Sequence, residues 1–172
     1  MYLSKIPKGI ALVCLVLMSD RNSSTPERKF LCDIILALAG KNDPIVAIEL
    51  ENCGIHDLET AERKVFELIK EITDELQKQA GEFPSESNYL DVLILLAEDF
   101  VSFLDEPYFR FWFGISLYAS AADNKDDELA LRLAKYEAIF LQMLYKVGPA
   151  AGRLDYKKYC SLAKKHVSKK LG

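Results

Sequence analysis

The chain has 172 residues, of which 50% are hydrophobic and 28% charged, with a net charge of -4. That length and composition allow one globular domain with a sizeable core and exclude a disordered or fibrous chain. The negative balance excludes a surface that wraps nucleic acid on all sides, and no run approaches the roughly 20 apolar residues that span a bilayer.

The charge is unevenly placed. Residues 1–150 carry 15 Lys+Arg against 25 Asp+Glu, a balance of -10, whereas residues 151–172 carry 7 against 1, a balance of +6. An acidic body therefore ends in a basic tail. Cys14, Cys32, Cys53 and Cys160 sit far apart inside apolar helical patterns, which fits a packed core in a reducing cytoplasm better than a disulfide framework.

Pro7 suits a first helical turn, where its missing N–H costs nothing, so a first helix is predicted from Pro7 to Ser19. Its run Ile10 to Met18, preceded by Lys5 and Lys8, imitates a signal peptide. The run leads into Ser19, Asp20, Arg21 and Asn22 rather than a small-residue cleavage site, and a buried helix is the preferred reading. A strand there would lack a partner, because no other segment alternates with period 2.

After a loop at Asn22 to Ser24, Thr25-Pro26-Glu27 supplies a cap, a first-turn proline and an early acid for a helix ending near Ala39, with Gly40 placed to stop it in the left-handed conformation. Asp43-Pro44 repeats the start signal for a short helix to about Cys53, closed by Gly54. Asp57 caps a long helix from Leu58 to Ala80, whose Leu58, Ala61, Val65, Leu68, Ile72 and Leu76 form one inward stripe. Gly81 ends it. Residues 81–88 are the candidate hinge between N-terminal helices (1–80) and a C-terminal bundle (89–172) within one helical domain.

A fifth helix is predicted from Ser87 to Leu104. Asp105-Glu106-Pro107 then opens a sixth over 107–122, with Tyr108, Phe109, Phe111, Trp112, Phe113 and Tyr118 and a single charge, Arg110. It is predicted to be the most buried helix, packed on the helix that follows it. Asn124, in the polar run Asp123 to Asp127, offers a cap for a seventh helix over 126–147. There Glu128, Arg132, Lys135, Gln142 and Lys146 make one narrow stripe. Leu129, Leu133, Tyr136, Ile139, Phe140, Met143, Leu144 and Val147 remain apolar, which predicts neighbours on more than one side. Gly148 to Gly152 stops this helix, and Asp155 caps an eighth. The fold class that follows is all-α, a single-domain bundle of seven to eight helices with those over 107–122 and 126–147 at its centre.

No G-x-G-x-x-G, G-x-x-x-x-G-K-[ST] or G-x-S-x-G occurs. His56 and His166 lack ligand-spaced companions, and neither Glu-x-x-His pairs nor C-x-x-C is present, so neither a metal nor a cofactor is expected. Glu98-Asp99 and Asp105-Glu106 could make a carboxylate pair, but a wet helix face and a helix cap account for them. No catalytic residue is assigned. Arg110 needs a partner among its aromatic neighbours, and Glu106, four residues earlier, is the nearest choice.

Three features remain. The first is a candidate ligand pocket at Phe109, Arg110, Trp112, Phe113, Tyr118, Tyr136 and Phe140, although aromatic stripes at helical spacing more often form plain core. The second is the basic patch Lys157, Lys158, Lys164, Lys165, Lys169 and Lys170 of the last helix, whose apolar stripe Tyr156, Tyr159, Cys160, Ala163 and Val167 suits docking on its own domain. The third is Gly54-Ile55 with Thr60, which resembles the turn and early recognition helix of winged-helix regulators with one extra residue in the turn. Asp57, Glu59 and Glu62 stand where phosphates would sit. Residues 89–170 are similar in outline to the helical ligand-binding and dimerising half of TetR-type regulators, which implies a small-molecule sensor. The preferred expectation is a non-enzymatic helical module acting as a homo-oligomer or with a protein partner, with nucleic acid less favoured.

Overall fold

The computed structural model describes residues 7–19, 25–51, 53–81, 85–121 and 128–172, with the side chains of 25, 86, 87 and 128–134 outside that description. Eight helices run through it: α1 (Lys8–Met18), α2 (Thr25–Gly40), α3 (Pro44–Glu51), α4 (Leu58–Ala80), α5 (Glu86–Val101), α6 (Glu106–Ser120), α7 (Glu128–Val147) and α8 (Tyr156–Leu171). Among the described residues there is no strand. One hydrophobic core draws side chains from all eight helices, so the molecule is a single all-α bundle.

The predicted caps form where local chemistry put them. Asp57 accepts from Thr60 N at 2.9 Å, Asp105 from Tyr108 N at 3.3 Å, and Asp155 from Lys158 N at 2.9 Å. Gly54 and Gly81 take positive φ after α3 and α4, as their positions required. The end of α2 differs. Gly40 stays helical and Asn42 takes the left-handed conformation, with Asp43 N–H bonded to Leu38 O at 3.1 Å and Asn42 N–H to Ala39 O at 3.0 Å. This is the Schellman closure two residues late; Asn, with a short polar side chain, tolerates it. The loop at 22–24, the side chain of Thr25 and the expected cap Asn124 lie outside the described residues.

The most buried helix is α1, a place predicted for α6, which shares the middle of the bundle with it. Ten of the eleven α1 residues, Gly9 to Met18, are buried. A helix apolar on every side must be wrapped on every side. α3, α4, α5, α6 and α7 all pack on it. α7 presents Lys135, Ala138, Gln142 and Lys146 outward, and its Ile139 is 47% exposed. Over its described side chains α7 buries one arc, through Phe140, Leu141, Leu144 and Tyr145, and α1, α5 and the Tyr156 and Tyr159 rings of α8 are its neighbours there. The readings for Glu128, Leu129, Arg132 and Leu133 lie outside the described side chains. Given a choice, burial of the helix with no polar stripe removes more apolar surface from water.

A buried helix cannot satisfy its terminal N–H and C=O groups with water. α1 has no side-chain cap of its own. Glu49 of α3 accepts from Gly9 N–H at 2.6 Å, and Tyr89 of α5 donates its hydroxyl to Met18 O at 2.6 Å. The α1–α6 crossing is close because Gly9 has no side chain: a Cβ there would lie 2.1 Å from Trp112 Nε1.

Candidate functional site

α6 was predicted to pack on α7. Among the described residues it lies between α1 and α8. Tyr159, Ala163 and Val167 of α8 are fully buried, with Tyr156 and Cys160 half-buried at the edges of that stripe. Gly114 permits the approach, since a Cβ there would stand 2.5 Å from the carbonyl oxygen of Ala163. The Tyr159 ring sits against Phe113 at 5.4 Å, Tyr145 at 5.5 Å and Phe109 at 6.2 Å between centroids. Its hydroxyl is buried and has no hydrogen-bond partner within 3.5 Å among the described residues. Burial first, and then the nearby Glu106 carboxylate, pushes that phenol up from its ordinary value.

Polar contacts close the seam. Arg110 meets Glu106 at 3.3 Å, the partner its spacing implied, and also donates Nε–H to His166 Nδ1 at 3.3 Å, a partner on α8 that sequence spacing could not supply. Burial and the adjacent Arg110 and Lys170 cations hold His166 below its ordinary value, which keeps the imidazole neutral and able to accept. The Tyr118 and Ser168 hydroxyls share a hydrogen bond of 2.9 Å.

The C-terminal end of α8 is latched to the α2–α3 turn. Asp43 caps α3 with Oδ1, at 3.0 Å from Ile45 N and 3.1 Å from Val46 N, while its Oδ2 holds Lys170 Nζ at 2.5 Å. Lys170 also stands over the Phe111 ring, 5.6 Å from its centroid, and Lys41 Nζ donates to Leu171 O. Lys170 is thus consumed inside the fold and separated from the other residues of the predicted basic patch.

Lys157, Lys158, Lys164, Lys165 and Lys169 remain exposed on the opposite side of α8. At 3.6 residues per turn they fall on one outward face with Ser161. Leu154 and Leu162 are also exposed there. Leu154, Lys157, Lys158, Ser161, Leu162 and Lys165 line a shallow basin of about 420 Å³. Local pairing spends little of this charge, since the Lys158–Asp155 contact is 3.8 Å long and exposed.

The predicted aromatic pocket set is divided by the fold. Phe109, Trp112, Phe113 and Phe140 are fully buried, whereas Arg110, Tyr118 and Tyr136 are half-buried. Phe109 and Phe113 face Tyr159, Trp112 turns to Gly9 of α1, and Arg110 and Tyr118 reach α8. At the turn that resembles a winged-helix regulator, Thr60 Oγ1 accepts from His56 N at 2.8 Å and Asp57 N at 3.0 Å, so it serves the cap of α4. Glu59 and Glu62 stand exposed beside it. A second basin, of about 490 Å³, is lined by Cys53, Gly54, Thr60, Arg63, Lys64 and Glu67. No described helix is long and apolar enough to cross a membrane. No protein-family model, curated protein or solved structure matches the chain.

Proposed function

We propose that this protein is a cytoplasmic, non-enzymatic interaction module whose working surface is the outward face of α8, and that the face receives an acidic, leucine-bearing protein surface. The observation that supports this reading is the set of five exposed lysines around Leu154 and Leu162 on a helix held rigid by its seam and its Asp43 latch. A preorganised face loses little freedom on binding, and its charge speeds encounter with an acidic partner.

Two other anionic partners fit less well. A membrane-surface helix needs its apolar stripe free to enter lipid, and Tyr159, Ala163 and Val167 are spent on α6. Duplex DNA would be held by phosphate neutralisation alone, because no Arg or Asn accompanies the lysines of α8, and the body charge of -10 opposes it.

The test is fluorescence anisotropy with a labelled helical peptide of alternating glutamate and leucine surfaces, a leucine-to-serine version, a DNA duplex and anionic vesicles. The expected result is binding of the first peptide, weakened about tenfold in the serine version and in a Lys158→Glu/Lys165→Glu protein. No appreciable DNA or vesicle binding is expected at physiological salt. Equal affinity for both peptides, or DNA binding that persists at that salt, overturns the reading.

A further inference from the structure

α5 carries the counterpart of the α8 face. Its outward positions are Asn88, Asp91, Leu95, Glu98 and Asp99, all exposed, with Ser102 beyond its end. Leu95 is 54% exposed, a large apolar side chain ringed by carboxylates, as Leu162 on α8 is ringed by lysines. From Gln79 to Phe109 the sequence contains no Lys or Arg. Among the described residues a cation approaches the end of this face: Lys8 Nζ lies 4.9 Å over the ring of exposed Phe103, and the same lysine is drawn to the Glu49 carboxylate.

The two faces cannot meet within one molecule. α8 packs on α6, α6 on α1 and α1 on α5, so two helices stand between the basic face and the acidic one. We infer that the occupant of the α8 face is α5 of a second copy of this chain, in a head-to-tail contact that sets Leu154 and Leu162 against Leu95 and the exposed lysines against Asp91, Glu98 and Asp99. The inference rests on the docking role proposed for α8 and names its partner. A contact between two different surfaces is heterologous, so repetition of it builds a ring or an open chain rather than a two-fold dimer. Its strength falls with salt, because the charges that rim it are solvated.

Sedimentation velocity on the full chain tests this at about 0.05 M and about 1 M salt. The expected result is species heavier than the 19.5 kDa monomer at low salt that dissociate at high salt. Lys158→Glu/Lys165→Glu and Asp91→Lys/Asp99→Lys each weaken association about tenfold or more, whereas an equimolar mixture of these two proteins associates, because one keeps the acidic face and the other the basic one. All four positions are exposed, and circular dichroism of each variant checks that the helices persist. A strict monomer at low salt that still binds the glutamate–leucine peptide overturns the inference while the docking role of α8 stands. Association that survives the α5 substitutions also overturns it. A monomer that binds no peptide removes both.

Discussion

Glu49 shows what one residue contributes when the fold, rather than its neighbours in sequence, decides its surroundings. It is 9% exposed, and burial raises its carboxyl to about 7 against the lowering effect of the Gly9 and Ile10 N–H groups and Lys8. The folded state thus holds this proton more tightly than the unfolded chain. The charged form therefore carries a cost absent below about pH 4.5, which grows as pH rises and is complete above about 7, on the order of 3 kcal/mol. Glu49→Gln keeps an acceptor for Gly9 N–H and loses the cost. Urea denaturation should find the variant more stable than the parent at about pH 8 and nearly equal at about pH 5. His166 works in the opposite direction, since its folded value is lowered and it disfavours folding as pH falls, but the difference between the two proteins cancels it. A variant less stable at both pH values would show that the carboxylate is needed as a charged cap.

The latch makes a second prediction at this scale. Asp43 is 7% exposed, and removal of its cation leaves a buried carboxylate without a counter-charge. Lys170→Ala should cost about 2–3 kcal/mol in urea unfolding, whereas Lys169→Ala, one residue away and exposed, should stay within about 0.5 kcal/mol. Equal effects would mean that the Asp43–Lys170 contact contributes nothing specific.

At the scale of elements, α8 covers the core with one side and carries the proposed docking face on the other. It shields α6 through Tyr159, Ala163 and Val167, with Phe109 and Phe113 behind them. Truncation after Gly152 exposes these rings and removes the basic tail. A loss of roughly 5 kcal/mol or more is expected, seen as a fall in melting temperature of more than about 10 °C. Gly114→Ala attacks the same seam from the other side. The added methyl meets the backbone of Ala163, which cannot turn away as a flexible side chain could, so about 1–3 kcal/mol should be lost. An unchanged melting temperature in the truncated chain would mean that α8 is not part of the cooperative core.

At the scale of the whole molecule, α1 joins the helices on either side of residues 81–88, since it packs on α3 and α4 as well as on α5, α6 and α7. One core of this kind should unfold in one step. Trp112 is the only tryptophan and lies fully buried between α1 and α6, so its fluorescence reports on the centre while far-ultraviolet circular dichroism reports on all helices. Coincident urea transitions from both probes are expected. Separate transitions would divide the chain near that connection.

The number of helices and most of their ends were legible in the sequence because caps are short-range objects. Asp57 with Thr60, Asp105 with Tyr108 and Asp155 with Lys158 each lie three residues apart and form wherever the chain is placed. The Arg110–Glu106 pair was legible for the same reason. The basic tail and the apolar stripe of α8 could be read from composition and period alone. What only the tertiary structure decided are the choices that depend on competition between elements or on pairs distant in the chain. Glu49 reaches Gly9 across 40 residues and Lys170 reaches Asp43 across 127. Nothing in local spacing marks either pair, nor His166 as a partner of Arg110. The place of α1 at the centre is of this kind too. Its periodicity fits a buried helix as well as α6 or α7 does, and the outcome turns on which arrangement takes most apolar surface from water while every buried N–H and C=O still finds a partner.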